Sequence, residues 1–270
     1  MKKPCILCFD IDGTLITDSP ERYLPDTAKE AIRLARAAGH LTFINTGRVM
    51  LNVDTFIREL DFDGYICGCG TYIRYHDTVL LHHRLEKDLC RKIAELCYDC
   101  GVFSLFEAHD ANGYDGRILA RYQDNPDIAG LLAYFRSVGK RFITDVNSPE
   151  FHFDKFSAWF RKDCDMERFR SGLHGTFTYI DRGENFCELV PEGYSKATGI
   201  QFLMDYFQIP WENTYAFGDS SNDLPMLDFV KHSAVMGAAP DALKAQADYV
   251  TGTVEADGLL KAMEHFGLLG

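Results

Sequence analysis

The 270-residue chain has no run of lysine or arginine residues, and its formal net charge is -12. Contacts to phosphate groups supply much of a protein's affinity for nucleic acids, so such a chain binds them poorly. We therefore expect no nucleic-acid partner. The same charge repels a phosphorylated metabolite at long range, so a site for one needs local positive charge from lysine, arginine, a helix N-terminus or a metal ion.

The chain also lacks an apolar stretch long enough to cross a bilayer. Lys2 and Lys3 precede an apolar segment as in a signal peptide, but Asp10 and Asp12 interrupt that segment too early. These features predict a cytoplasmic protein with no membrane partner. The sequence leaves the oligomeric state open.

The nine cysteines lack the patterns of a disulfide framework or a zinc finger. Cys5 and Cys8 lie in an apolar run, where strand alternation sends positions three apart to opposite faces. Cys97 and Cys100 have no second pair at zinc-finger spacing. We therefore expect reduced thiols that pack in the interior.

Strand and helix patterns alternate in the first third of the chain. A buried run at residues 5–9 precedes a helical pattern at 26–38, and a second apolar run follows at 41–44. The last third has the same texture, with a helix predicted at 196–207 and a buried strand at 214–217. This alternation is typical of a parallel sheet in an α/β fold.

The middle of the chain mixes strand-like and helical segments without that regular alternation. Strands are predicted there at 102–107, 141–146, 155–160 and 176–181. We therefore predict a Rossmann-like, doubly wound parallel sheet core formed by residues 1–82 and 189–270. Residues 83–188 would form an inserted α+β cap domain.

Two acidic residues follow the first predicted strand, in the sequence FDIDGT at residues 9–14. Open α/β sheets bind ligands at the carboxyl ends of their strands. Asp10 and Asp12 can project into one crevice, which suits a nucleophilic carboxylate with a proton donor beside it and a cation that relieves their repulsion. The alternative is an Asx turn in which Gly13 permits the reversal.

The second predicted strand ends in Asn45, Thr46, Gly47 and Arg48. A hydroxyl and free backbone N–H groups at that point suit phosphate oxygens. Thr46 could instead be a simple N-cap for the next helix.

Lys196 begins the helix predicted at 196–207. A cation at a helix N-terminus is slightly unfavourable to the helix dipole, so this position favours a functional explanation such as binding an anion. A solvated surface lysine is the alternative.

The strand at 214–217 is followed by the sequence GDSSND at residues 218–223. The oxygens of Asp219, Asn222 and Asp223 are ligands that suit a hard cation such as magnesium. A capping loop before a helix at Leu224 is the alternative.

All four motifs fall at strand ends or helix starts of one predicted sheet, so we expect them to converge on one site. In their order along the chain they resemble the haloacid-dehalogenase (HAD) superfamily, and specifically its Cof-type sugar-phosphatase branch, subfamily IIB. The resemblance extends to ELVPEG at residues 188–193 and to ADYVT at 247–251. The resemblance extends over the whole predicted core, whereas the insert matches mainly in its position and its length.

The resemblance implies a magnesium-dependent phosphatase that acts on a small phosphorylated metabolite such as a sugar phosphate. Asp10 would be the nucleophile that forms an aspartyl-phosphate, and Asp12 would protonate the leaving alkoxide and then activate water. Thr46, Gly47 and Lys196 would bind the transferring phosphoryl group and offset its charge.

The resemblance also implies a Mg²⁺ site formed by Asp10, the main-chain carbonyl of Asp12, Asp219 and Asp223. Asn222 would support the loop or bind the phosphate. The cap would close over the site, exclude water and select the substrate. One polar segment of the cap could face a sugar or could be an exposed loop, and its members are Glu107, His109, Asp110, Asn112 and Tyr114.

Two other functions fit the same motifs. A phosphomutase or phosphotransferase could use Asp10 and Asp12 but pass the phosphoryl group to a second hydroxyl instead of water. A non-catalytic module that binds phosphorylated metabolites commonly arises by loss of the nucleophile or its partner, and both carboxylates are present here.

Overall fold

The structure is a computed structural model, and it describes residues 4–19, 21–183 and 185–270. Two units can be distinguished in it. The first unit contains the chain up to Arg48, Val53–His82 and Tyr194–Gly270, and the second contains Val49–Asn52 and His83–Gly193. The cap boundary expected at 188 to 189 lies within the second unit.

The first unit begins with an alternating β and α segment. Strand β1 is buried along its whole length and consists of apolar residues, as is usual for a central parallel strand. Helix α1 turns its small apolar side chains, including Ala31 and Ala35, to the interior and its charged residues outward. The elements are β1 (Ile6–Phe9), α1 (Asp26–Ala37), β2 (Leu41–Asn45), α2 (Thr55–Arg58), β3 (Gly64–Cys67), β4 (Tyr72–Tyr75) and β5 (Thr78–His82).

Among its described residues, the second unit is a six-stranded sheet with three α-helices. Its core is rich in phenylalanine, and the ring of Phe106 packs against Phe151, Phe153 and Phe156 at centroid distances of 4.8 to 5.6 Å. The elements are α3 (Lys87–Asp99), β6 (Phe103–Glu107), β7 (Asn112–Gly113), α4 (Pro126–Ser137), β8 (Phe142–Ile143), β9 (Lys155–Trp159), α5 (Met166–Leu173), β10 (Phe177–Asp181) and β11 (Phe186–Pro191).

The chain then completes the first unit. Helix α6 begins after Ser195, which forms a reciprocal capping box with Thr198 and so satisfies backbone N–H groups at the helix start. The elements are α6 (Lys196–Phe207), β12 (Thr214–Gly218), α7 (Leu224–Phe229), β13 (His232–Val235), α8 (Asp241–Lys244), β14 (Tyr249–Val250) and α9 (Gly258–His265). Short 3-10 helices lie at Met50–Asn52, Gly68–Gly70, Leu119–Tyr122, Trp211–Asn213, Ser221–Asp223 and Val254–Ala256.

The strand order of the first unit brings three motif-bearing strand ends together. The sheet runs β14-β13-β12-β1-β2-β3-β4-β5. The pairs from β14 to β3 are parallel, and β4 and β5 add an antiparallel hairpin. Since β1 lies between β12 and β2, the carboxyl ends of these three strands lie side by side.

The sheet of the second unit has the order β10-β11-β9-β6-β7-β8, and only the pair β7 and β8 is parallel among its described pairs. The predicted fold class, a parallel-sheet core with an inserted α+β unit, is confirmed. The strand predicted at 141–146 is limited to Phe142–Ile143, because it pairs only with the two-residue strand β7. Among the described residues, no helix is both long and apolar enough to span a membrane.

Candidate active site

Asp10 directly follows β1 and is 5% exposed. Its backbone N–H donates to the carbonyl of Phe217 in β12 (3.0 Å), which extends the parallel ladder by one residue. The ladder therefore fixes the position from which the Asp10 side chain projects at the sheet edge.

Lys196, the first residue of α6, is 1% exposed and contacts two carboxylates. Its Nζ lies 2.5 Å from Asp10 Oδ1 and 2.5 Å from Asp223 Oδ1. Asn45, at the end of β2, donates from Nδ2 to the backbone carbonyl of Lys196 (3.0 Å) and links that strand end to the helix start. A buried ammonium is thus held beside the predicted nucleophile.

Asp10, Asp219 and Asp223 form an acidic cluster in which one oxygen of each lies within 4.8 Å of the others. Thr14 Oγ1 donates to Asp219 Oδ1 (3.0 Å). Asp223 Oδ2 accepts from the backbone N–H groups of Asp219 (2.9 Å) and Ser220 (3.0 Å). Asp223 therefore fixes the loop after β12 with one oxygen and binds Lys196 with the other.

The charges in this cluster do not balance. Burial raises the pKa of Asp10 well above its ordinary value, and the negative charge of Asp223 adds to the shift against the opposing effect of Lys196. Burial, followed by the charge of Asp223, raises the pKa of Asp219 to about 7 despite the hydrogen bond from Thr14. Three carboxylates share one ammonium, so they lack positive charge to keep them all ionised.

Lys196 remains a cation in this environment. Burial acts to lower the pKa of its ammonium, but the charges of Asp10 and Asp223 and the hydrogen bonds to them outweigh burial, and the pKa lies above its ordinary value. Its positive charge is therefore available to a nucleophile and to a phosphoryl group.

The donor set of the cluster fits a divalent metal ion. Carboxylate oxygens are the ligands preferred by Mg²⁺, and a dication would supply the positive charge that the three carboxylates lack. Asp10 and Asp219 are the members with raised pKa values, so an ion held by them would favour their ionised forms.

The side chain of Asp12 is hydrogen-bonded to Arg48. Arg48 donates from Nε to Asp12 Oδ2 (2.8 Å) and from Nη2 to Asp12 Oδ1. Arg48 Nη1 also donates to Asp54 Oδ2 (2.8 Å), and Arg22 Nη2 lies 2.6 Å from the same oxygen. The Asp12 side chain is 43% exposed, so this carboxylate is held in place and is also accessible to solvent.

Thr46 follows β2 and is 2% exposed, and its Oγ1 accepts from the backbone N–H of Arg48 (3.2 Å). Gly47 lies between them. Asn222 is half-buried, and its Oδ1 accepts from the hydroxyl of Ser220 (2.7 Å). The roles predicted for Thr46, Gly47 and Asn222 in phosphate binding stay predictions, as does the contribution of the Asp12 carbonyl to a metal.

Gly13 allows the loop after β1 to approach the loop after β12. It has a φ of +76°, a conformation that L side chains rarely adopt, and a Cβ atom there would overlap the Asp219 carboxylate. The turn of FDIDGT therefore requires glycine for two independent reasons.

No role was predicted from the sequence for Thr14, Arg22, Asp54 or Arg48. Thr14 and Arg48 lie inside the motifs, which is the signal by which they could have been found. The pairing of Arg22 with Asp54 joins residues far apart in sequence that lie outside every motif.

Comparison with known proteins gives a consistent result. A model of the family described as haloacid dehalogenase-like hydrolase matches residues 7–263. The chain is 25% identical over 281 residues to the 5-amino-6-(5-phospho-D-ribitylamino)uracil phosphatase YitU of Bacillus subtilis, covering 98% of this chain and 99% of that protein. It is 26% identical over 274 residues to the pyridoxal phosphate phosphatase YbhA of Escherichia coli, covering 94% and 95%. The solved structure of the HAD subclass IIB sugar phosphatase BT4131 matches with a TM-score of 0.78 at 26% identity, covering 98% of this chain and 99% of that one.

Proposed function

Because this chain belongs to the haloacid dehalogenase-like hydrolase family and is a phosphatase of its Cof-type branch, we propose that it hydrolyses a small phosphorylated metabolite, with Mg²⁺, through an aspartyl-phosphate at Asp10. The observation that carries the proposal is the contact of the Lys196 ammonium with the buried Asp10 carboxylate inside the acidic cluster. A carboxylate oxygen beside fixed positive charge supports the role of nucleophile that we propose for Asp10.

In the first half-reaction, an oxygen of Asp10 attacks phosphorus while the bond from phosphorus to the leaving oxygen breaks. Lys196 stabilises the charge that develops on the phosphoryl oxygens, and because it is already buried and hydrogen-bonded, little reorganisation is needed. Asp10, Asp219 and Asp223 would hold a Mg²⁺ ion, which would supply further positive charge beside the phosphoryl group.

Asp12 serves as the proton donor and acceptor in the proposal. It protonates the leaving alkoxide in the first half-reaction and takes a proton from the hydrolytic water in the second. Its exposure to solvent allows it to exchange protons, and its contact with Arg48 fixes the orientation from which it acts. Asp10 is regenerated when the water oxygen bonds to phosphorus and the aspartyl oxygen leaves.

Thr46 Oγ1, the N–H of Gly47 and Lys196 bind the phosphoryl oxygens in this scheme, and Asn222 supports the loop or the phosphate. The support for Thr46 and Gly47 is their position after β2, the strand that pairs with β1 at the same sheet edge. We take the substrate to be a sugar phosphate or a metabolite with a sugar-like phosphorylated chain, by analogy with the names of the relatives. We also propose a cytoplasmic location, which suits the reduced state of the nine cysteines.

The direct experiment measures release of inorganic phosphate from a panel of phosphorylated sugars, polyols and cofactors, with Mg²⁺ and with a chelator. The Asp10→Asn protein serves as the blank, and Asp241→Asn, at an exposed aspartate of α8, serves as the matched control. We expect release that requires Mg²⁺, persists in the control and is lost in the blank. Release of phosphate by the Asp10→Asn protein at the wild-type rate would contradict the proposal.

The same panel distinguishes hydrolysis from phosphoryl transfer to a second hydroxyl. A hydrolase releases phosphate with water as the sole acceptor. Formation of a phosphorylated acceptor or an isomeric sugar phosphate after a sugar acceptor or a bisphosphate activator is added, with no release of inorganic phosphate, would show a mutase or phosphotransferase instead.

A further inference from the structure

A cavity of about 440 Å³ lies within the second unit, and its lining includes His109 and Asp110 of the polar cap segment named in the sequence analysis. Among its lining residues are His109, Asp110, His152 and Asp154. The first two lie in the turn between β6 and β7, and the other two lie just before β9.

Asp154 holds these two segments together. Its backbone N–H donates to the carbonyl of Glu107 (2.8 Å), and its Oδ2 accepts from the backbone N–H of His109 (2.9 Å). The side chain of Asp154 is 3% exposed, and the turn after β6 closes through the N–H of Ala108 and the carbonyl of Ala111 (2.8 Å). The backbone that carries the two histidines is therefore well fixed.

The ring of His152 has a defined tautomer when it is neutral. Its Nδ1 lies 2.7 Å from the backbone carbonyl of Glu150. A carbonyl oxygen can only accept, so Nδ1 carries a proton, and Nε2, which lies 2.8 Å from Asp110 Oδ1, is the nitrogen whose proton a metal ion would replace. Metal-binding histidines commonly donate their second ring N–H to a backbone carbonyl in this way, which fixes the orientation of the ring.

Three possible ligand atoms converge here, and they are His152 Nε2, Asp110 Oδ1 and His109 Nδ1. Asp110 Oδ1 lies 2.8 Å from His152 Nε2 and 3.5 Å from His109 Nδ1. The ligand atoms of all three residues lie within 4.8 Å of one another. Ligand atoms around a tetrahedral zinc ion, at bond lengths near 2.0 to 2.1 Å, are about 3.3 Å apart. The separations of 2.8 and 3.5 Å lie on either side of that value.

We propose that His109, Asp110 and His152 form a binding site for a divalent transition-metal ion such as Zn²⁺, distinct from the acidic cluster of the first unit. Two imidazoles and one carboxylate favour zinc-like ions, whereas Mg²⁺ prefers a set of oxygen ligands. The carboxylates of Asp110 and Asp154 balance the charge of the ion. The cavity has room for a water molecule or a small ligand as the fourth ligand.

The test uses the full chain, stripped with a chelator and then supplied with excess Mg²⁺ to compete at the acidic cluster. Co²⁺ is titrated as a spectroscopic probe for zinc. We expect one Co²⁺ per chain with visible bands of a four-coordinate nitrogen and oxygen site, without a thiolate charge-transfer band, and displacement of Co²⁺ by Zn²⁺. His152→Ala and His109→Gln should each weaken Co²⁺ binding at least about 10-fold.

The matched control is His174→Ala, at an exposed histidine that follows α5. It should bind Co²⁺ as the wild type does. Urea denaturation of each variant establishes that a loss of binding occurs in a folded protein, and the two different substitutions guard against a folding defect in one of them. The proposal is overturned if the wild type binds no Co²⁺ under these conditions. It is also overturned if His152→Ala and His109→Gln bind Co²⁺ as tightly as His174→Ala does, or if the spectrum shows thiolate ligands.

Discussion

The guanidinium of Arg48 donates two hydrogen bonds to the carboxylate of Asp12, one from Nε to Oδ2 (2.8 Å) and one from Nη2 to Oδ1. Both residues belong to motifs at neighbouring strand ends, β1 and β2. The planar fork of arginine matches the two oxygens of a carboxylate, so it fixes the direction of the carboxylate as well as its charge. This relationship makes Arg48 a positioning residue for the proposed proton donor.

Arg48→Lys should lower kcat about 10- to 100-fold, because lysine keeps the charge but cannot hold both oxygens of Asp12, and small misplacements of a catalytic group cost about that much. KM should change less, since Asp12 does not bind the phosphate in this scheme. Steady-state kinetics on the best substrate of the panel would measure both. Arg33→Lys, at an exposed pair with Glu30 on α1, is the control. An unchanged kcat in Arg48→Lys would remove the positioning role.

Thr14→Val should raise the Mg²⁺ concentration needed for half-maximal activity by about 10-fold or more. The substitution keeps the side-chain shape but removes the hydrogen bond that orients Asp219 (3.0 Å). Thr27→Val loses a comparable hydrogen bond to Asp257 (2.7 Å) and should leave the Mg²⁺ requirement unchanged. If both variants respond to Mg²⁺ like the wild type, Asp219 does not depend on Thr14 for its function as a ligand.

Lys196→Met should lower the free energy of unfolding by about 3 to 5 kcal/mol in a chelator, because it leaves two buried carboxylates without their shared cation. Added Mg²⁺ should restore part of the loss, since the ion supplies positive charge to the same cluster. Urea denaturation with and without Mg²⁺ measures both effects. Lys29→Met, at an exposed ion pair with Asp26, should behave like the wild type. Equal stability of Lys196→Met and the wild type in chelator would be incompatible with the buried ion pairs.

Gly13→Ala and Gly39→Ala separate backbone strain from crowding of the site. Both glycines have positive φ angles, so each substitution should cost about 1 to 2 kcal/mol of stability. Only at Gly13 would the new Cβ overlap the Asp219 carboxylate, whereas Gly39 has open space around it. We therefore expect loss of activity in Gly13→Ala alone, measured together with the free energy of unfolding. Normal turnover by Gly13→Ala would contradict the described approach of the two loops.

The sequence predicted much of the first unit, because its strands and helices have clear patterns. The helix expected at 196–207 has those bounds in the structure, where Ser195 caps it. The first and last residues of β1, β2 and β12 lie within one residue of the predicted ones. Buried parallel strands are short apolar runs, and such runs are easy to find when polar turn residues bound them.

Other features depend on pairing that a sequence pattern does not reveal. The hairpin of β4 and β5 was not predicted, because it is defined by the antiparallel pairing of two short strands. Strand β11 crosses the boundary placed at 188 to 189, because its pairing with β9 continues to Leu189 and its pairing with β10 continues to Pro191. The sequence signal ELVPEG indicated similarity to a family and did not show that these residues are part of a sheet.

In the site, too, some features follow from sequence motifs and others do not. Asp10, Lys196 and Asp219 could be named from motifs, since each follows a predicted strand or begins a predicted helix. Asp223 binds both Lys196 and the loop backbone, and Arg48 binds Asp12. Both sets of hydrogen bonds depend on the directions of side chains. Side-chain directions follow from packing of residues distant in sequence, so they had to come from the structure.

The most direct test of the central claim is chemical trapping of the aspartyl-phosphate. The enzyme is mixed with Mg²⁺ and a saturating concentration of its best substrate, quenched at several times during turnover and reduced with borohydride, which converts an acyl phosphate to an alcohol. Mass spectrometry of the peptide around FDIDGT then locates the reduced residue. We predict reduction at position 10, absent without substrate. Reduction at another residue, or an unmodified peptide in samples that release phosphate, would contradict Asp10 as the nucleophile.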